Sequence, residues 1–146
     1  MKKLAFLLSL ILVGSIHSIV TQRTSELTRQ PDNKVLMGGY IEQDGKHVAA
    51  IERTLGTQDP TLDSSFGTEG VVFIAIPYAE DSEVRRVTVL PDQKILLEGD
   101  VYLAGVGEAE DAKTRARFEA RLKSNGTLDT TFADYGIKII SENVKL

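Results

Sequence analysis

Pro31-Asp32-Asn33-Lys34-Val35-Leu36-Met37-Gly38-Gly39 and Pro91-Asp92-Gln93-Lys94-Ile95-Leu96-Leu97-Glu98-Gly99 are the two stretches that decide how this sequence reads. They lie 60 residues apart and agree at five of nine positions. A second pair follows in the same order, Thr61-Leu62-Asp63-Ser64-Ser65-Phe66 and Thr127-Leu128-Asp129-Thr130-Thr131-Phe132, now 66 residues apart. Gly70 and Gly136 keep that second offset. Two motifs in fixed order, with the length variation confined between them, mark an internal repeat, and a repeat governs the whole fold. The six extra residues of the second unit are expected in the stretch Ala104 to Lys113.

Each unit reads as four short strands. In the second unit, Val84 to Leu90 ends at the Pro91-Asp92 turn, where Pro presets φ and Asp can accept from its own backbone. Ile95 to Leu103 begins apolar on both faces, as a strand inside stacked sheets does. In Thr114 to Lys123, Ala116, Phe118, Ala120 and Leu122 alternate with Arg115, Arg117, Glu119, Arg121 and Lys123. That period of two puts one face in the core and one in water. Ile137 to Ile140 is the fourth strand. The first unit repeats the plan over Glu26 to Gln30, Lys34 to Ile41, His47 to Leu55 and Val71 to Ile76, with Asp44-Gly45 as a tight hairpin turn. The expected fold is all-β: two four-stranded antiparallel blade-like repeats, residues 24–78 and 79–141, followed by a short tail, 142–146.

Residues 1–18 read as an address. Lys2 and Lys3 are followed by the apolar run Leu4 to Val13 and by the small residues Gly14, Ser15 and Ser18, the order of parts in a secretory signal peptide. This run of ten residues, apolar apart from Ser9, is too short for a helix to cross roughly 30 Å of hydrocarbon. Cleavage is expected near Ser15 or Ser18, so the mature protein is secreted or periplasmic with no stable membrane span. Loss of Lys2 and Lys3 takes the formal charge from −4 to −6. That acidity argues against nucleic acid as a partner. The chain has no Cys, hence no disulfide frame, thiolate metal site or Cys nucleophile.

The paired motifs resemble the delta-60 repeat, a β-propeller-like repeat of exported bacterial proteins. The resemblance rests on Pro91-Asp92-Gln93-Lys94 to Gly99, Arg121-Leu122 and Gly126-Thr127-Leu128-Asp129-Thr130-Thr131-Phe132, and in the first unit on Pro31 to Gly39, Arg53 and Leu62-Asp63-Ser64-Ser65-Phe66-Gly67. It covers nearly all of the chain after residue 24. It implies a repeat-built partial propeller and carries no general catalytic signature. The sequence departs from the pattern at Gln93, where the turn favours a left-handed residue that Asn33 tolerates better. It departs again at Ala133, which stands where the first unit has Gly67.

Asp63 and Asp129 are read as turn acceptors for backbone N–H groups. Phe66 and Phe132 are read as core plugs, and Arg53 and Arg121 as partners in a structural ion pair or carbonyl contact. With Pro31, Asp32, Lys34, Gly39, Leu62, Gly70, Pro91, Asp92, Lys94, Gly99, Leu128 and Gly136 they make up the repeat motif. No catalytic, cofactor-binding or metal-binding residue is assigned, and no cofactor is expected. The carboxylates Glu80, Asp81 and Glu83, and Glu108, Glu110 and Asp111, lie in expected connections, where charge is usually solvated. His47 is expected at an exposed strand end. The function expected is a non-enzymatic binding or structural module of the cell envelope, with an unidentified ligand or protein partner. A glycan-acting hydrolase or lyase using the loop carboxylates is the alternative, as is a shortened relic of a longer repeat protein. Propellers close with about four to eight blades. Two units with no visible polar cap are therefore expected to self-associate, most simply into a ring.

Overall fold

The computed structural model describes residues 22–23, 25–105 and 113–141, and these are all β-structure and turns. The segment read as a signal peptide and the acids Glu108, Glu110 and Asp111 lie outside the described residues. Nine strands form two antiparallel sheets: β1 (Gln22–Arg23), β2 (Thr28–Arg29), β3 (Val35–Gln43), β4 (Lys46–Thr54) and β5 (Val71–Phe73) in the first, β6 (Ala79–Val89), β7 (Ile95–Leu103), β8 (Thr114–Leu122) and β9 (Ile137–Ser141) in the second. β1 and β2 lie one after the other along β3, so both sheets are four strands wide with sequential neighbours paired.

The first unit's opening strand departs from the sequence reading. In place of Glu26 to Gln30, two short pieces pair with β3 on either side of a break. Its counterpart β6 starts five residues earlier than the expected Val84, held by Ala79 opposite Leu103 and by two irregularities of register. The length difference falls in the expected stretch, Ala104 to Lys113, which is eight residues longer than its counterpart. The β3–β4 turn is only Asp44-Gly45, both residues left-handed (φ 52° and 75°), whereas ten residues join β7 to β8. The second unit recovers two of those eight in the passage from Arg121 to Asp129, which is shorter than that from Arg53 to Asp63.

One continuous core joins the sheets. Leu36, Ala49, Ile51 and Ile74 of the first pack against Val84, Val87, Ile95, Leu97, Val101, Phe118, Ala120 and Leu122 of the second. β6 crosses the first sheet at Gly38, where a Cβ would sit 2.5 Å from Val84 Cγ1 and 3.0 Å from Val87 Cγ2. Only glycine lets the strands approach so closely. Polar links pin the same seam: Ala49 N–H donates to Ser82 Oγ (2.9 Å), and Thr28 Oγ1 donates to the Val87 carbonyl (3.0 Å).

Candidate functional site

The repeat motif builds the same clasp twice. Pro31-Asp32-Asn33 and Pro91-Asp92-Gln93 turn the chain into β3 and β7, with Asn33 and Gln93 both left-handed (φ 70° and 69°). Asp32 and Asp92 accept from the backbone N–H of Lys34 and Lys94 at 3.2 and 3.1 Å. Those lysines then reach Asp63 and Asp129 at 3.0 and 2.9 Å. Arg53 Nε and Arg121 Nε meet the same carboxylates at 2.9 and 2.8 Å. The second oxygen of each Asp accepts from Ser65 or Thr131, from the hydroxyl at 2.6 Å and from the backbone N–H at 3.1 or 3.2 Å. Each guanidinium lies over the motif's Phe, Arg53 over Phe66 and Arg121 over Phe132.

Every member of this network is satisfied, and the carboxylates are held charged. Burial pushes the Asp63 carboxyl up, but hydrogen bonds from Ser65 and Lys34 and the Arg53 charge outweigh it, so it titrates well below the usual range. The Thr131 hydroxyl, then Lys94, hold Asp129 down in the same way. A carboxylate so fixed is neither a proton donor nor an open ligand, so the clasp ties turns to strands. Leu62 is buried beside its Asp, and Gly70 and Gly136 (φ 89° and 99°) pass close over Leu62 and Leu128. Gly99 leaves room for the Glu83 carbonyl and the Phe118 ring.

The two clasps differ in what lies beyond them. Arg53 Nη1 reaches out of its own unit to the Ser124 carbonyl at 2.6 Å, and Gly67 N–H donates to the Asn125 carbonyl at 2.9 Å. The Ser124-Asn125-Gly126 turn therefore lids Phe66, which is fully buried. Gly126 (φ 89°) fits there because a Cβ would meet Val72, the Gly67 nitrogen and the Phe66 ring at 2.8–3.0 Å. Among the described residues Phe132 has no such lid, and it is half-buried, so the expectation of two equivalent core plugs holds for Phe66 alone.

A chemically richer place lies at the other end of the seam. There a cleft of about 570 Å³ is lined by Tyr40, Gly45, His47, Asp81, Glu83, Arg85 and Tyr102. The Tyr40 and His47 rings stack face to face, with centroids 3.9 Å apart. His47 N–H donates to Asp81 Oδ1 (2.9 Å), and Lys113 Nζ meets Asp81 Oδ2 (3.1 Å). The His47 backbone hydrogen bond, foremost, holds the Asp81 carboxyl below its usual range. Arg85 joins Glu83 and Asp100, Arg115 adds a second contact to Asp100 at 3.3 Å, and Lys46 pairs with Glu80 at 2.6 Å. The cleft thus sets the stacked Tyr40–His47 pair and the partly exposed Tyr102 ring beside pre-ordered groups of both signs. Sequence reading placed His47 and the Glu80-Asp81-Glu83 run separately and overlooked Tyr40 and Tyr102. The available signal was a Tyr near the end of the second strand in both units.

Among the described residues no group of three or more His, Asp or Glu is arranged to hold a metal ion, and no helix is long and apolar enough to cross a membrane. Asn125 accepts from Thr127 N–H (3.1 Å) and Thr127 Oγ1 (2.8 Å) within its own turn. No family model, curated protein or solved structure matches this chain.

Proposed function

We propose that this chain is an exported, non-enzymatic binding module of the cell envelope: a two-bladed partial propeller of the delta-60 kind whose seam cleft takes a neutral saccharide. The observation that carries the reading is the cleft at Tyr40, His47 and Tyr102, where aromatic rings stand beside a dense, charge-balanced set of donors and acceptors. A sugar presents an apolar C–H face and hydroxyls that both donate and accept. Rings bind the first, and carboxylate and guanidinium groups bind the second. An ionic ligand finds no net field there, because each charge already has a counter-charge.

The hydrolase alternative has less support. A general acid at neutral pH needs its pKa raised by its surroundings, whereas Asp81 is shifted the other way. Export rests on the order of parts in residues 1–18. Retention of soluble neutral oligosaccharides on the immobilised chain tests the reading. Tyr40→Ala and Tyr102→Ala are expected to weaken retention at least several-fold with the fold intact by circular dichroism. Retention unchanged in both variants would overturn the site.

A further inference from the structure

We propose that the outer face of the second unit is a terminal cap, a surface built to stay in water and to refuse a further repeat. The face of the first sheet that receives the second unit carries Leu36, Gly38, Ala49, Ile51, Val72 and Ile74. Leu36 and Ile74 keep apolar counterparts in Leu96 and Ile140, but strand register places Glu98, Arg117, Glu119 and Lys138 at the positions of Gly38, Ala49, Ile51 and Val72. Four apolar or absent side chains have become four charges, while the inward face of the same strands stays apolar. These charges are tied sideways across the sheet, Lys138 to Glu119 at 3.8 Å and Arg86 to Glu98 at 3.7 Å. A repeat stacked on this face would strip water from all of them without supplying new partners.

A further feature acts in the same sense: among the described residues the docking turn exists only once. Gly126 enters its socket at φ 89°, and its counterpart in the first unit is Pro60, whose ring fixes φ near −65°. A second copy therefore cannot dock its first unit onto this face as the chain docks its own second unit. Repeat arrays need terminal units with a polar outer face. Here the cap is not a separate segment but one side of strands β7, β8 and β9, which is why a search for a polar stretch misses it. The ring expected from the repeat count has no contact of the repeat's own kind to close through.

Light scattering on the full chain and two variants tests the proposal. Arg117→Glu is expected to leave the mass of the wild type unchanged over a wide concentration range. The fourfold variant Glu98→Gly, Arg117→Ala, Glu119→Ile, Lys138→Val is expected to at least double its mass on concentration. The pair Glu119→Ile, Lys138→Val carries the same test should the fourfold variant fail to fold. A wild-type oligomer that Arg117→Glu dissociates would overturn the cap, because the face would then be a contact. A folded apolar variant with the wild-type mass would overturn it too.

Discussion

Arg53 Nη1 donates to the Ser124 carbonyl at 2.6 Å, across 71 residues of sequence, while the equivalent Arg121, among the described residues, bonds to Asp129 and Thr131 of its own unit. One guanidinium therefore closes the first clasp and fastens the second unit to it. Removing a buried partner of an ion pair strands the other charge, at about 3–5 kcal/mol. Arg53→Ala is expected to cost that much in urea denaturation, and Arg121→Ala, at a more exposed site, distinctly less. Equal losses would mean that the contact to Ser124 contributes nothing.

Acid stability follows from the clasp carboxylates. The folded-state pKa of Asp63 lies below its unfolded value of 3.8. Its contribution is therefore fully present above that value and is lost as pH falls through the folded one. Asp63→Asn is expected to destabilise the protein at neutral pH, and the gap to wild type should narrow steadily below about pH 4. Thermal melts from pH 7 to pH 2 measure it. A gap that is constant, or that widens in acid, contradicts the assignment.

Phe66 and Phe132 occupy the same place in the repeat but not in the core. Phe66→Ala should cost about 3–5 kcal/mol, the range for a buried Phe. Phe132→Ala should cost clearly less, because that ring is half open to water. This also reverses the ranking that the motif suggests for the second unit. There Asp129 is buried in four contacts and should be the more sensitive position, by denaturant midpoint.

The turn into β7 carries avoidable strain. Gln93 sits at φ 69°, where an L side chain costs about 1 kcal/mol or more and glycine costs none sterically. Gln93→Gly is expected to raise the denaturation midpoint, whereas Asn33→Gly, replacing a residue that tolerates the conformation, should change it little. A lower midpoint for Gln93→Gly would mean that unfolded-state entropy dominates.

What was legible in the sequence was whatever repeats within a strand. Ile95–Leu103 emerges with the expected bounds, opening straight after the Pro91-Asp92 turn, and β8 ends one residue short of the expected Lys123, its Ala116 to Leu122 alternating cleanly. The first strand of unit one was not legible. Its pairing with β3 is broken between Arg23 and Thr28, and no hydrophobic period spans the break. Neither the cap nor the cleft was visible, because both arise between units. Gly38 against Glu98 looks like an ordinary mismatch until β6 is seen lying across Gly38. Tyr40 and Asp81 are 41 residues apart in sequence and meet only through the seam.

The proposed binding site at the seam is checked by proton NMR of chitopentaose and maltopentaose incubated with the full chain and followed over a day. The prediction is line broadening of the signals of one of the two sugars, absent with Tyr40→Ala, and no new anomeric signal at any time. New anomeric signals that grow with time and vanish in an Asp81→Asn variant would contradict it, since the cleft would then be cutting what it holds.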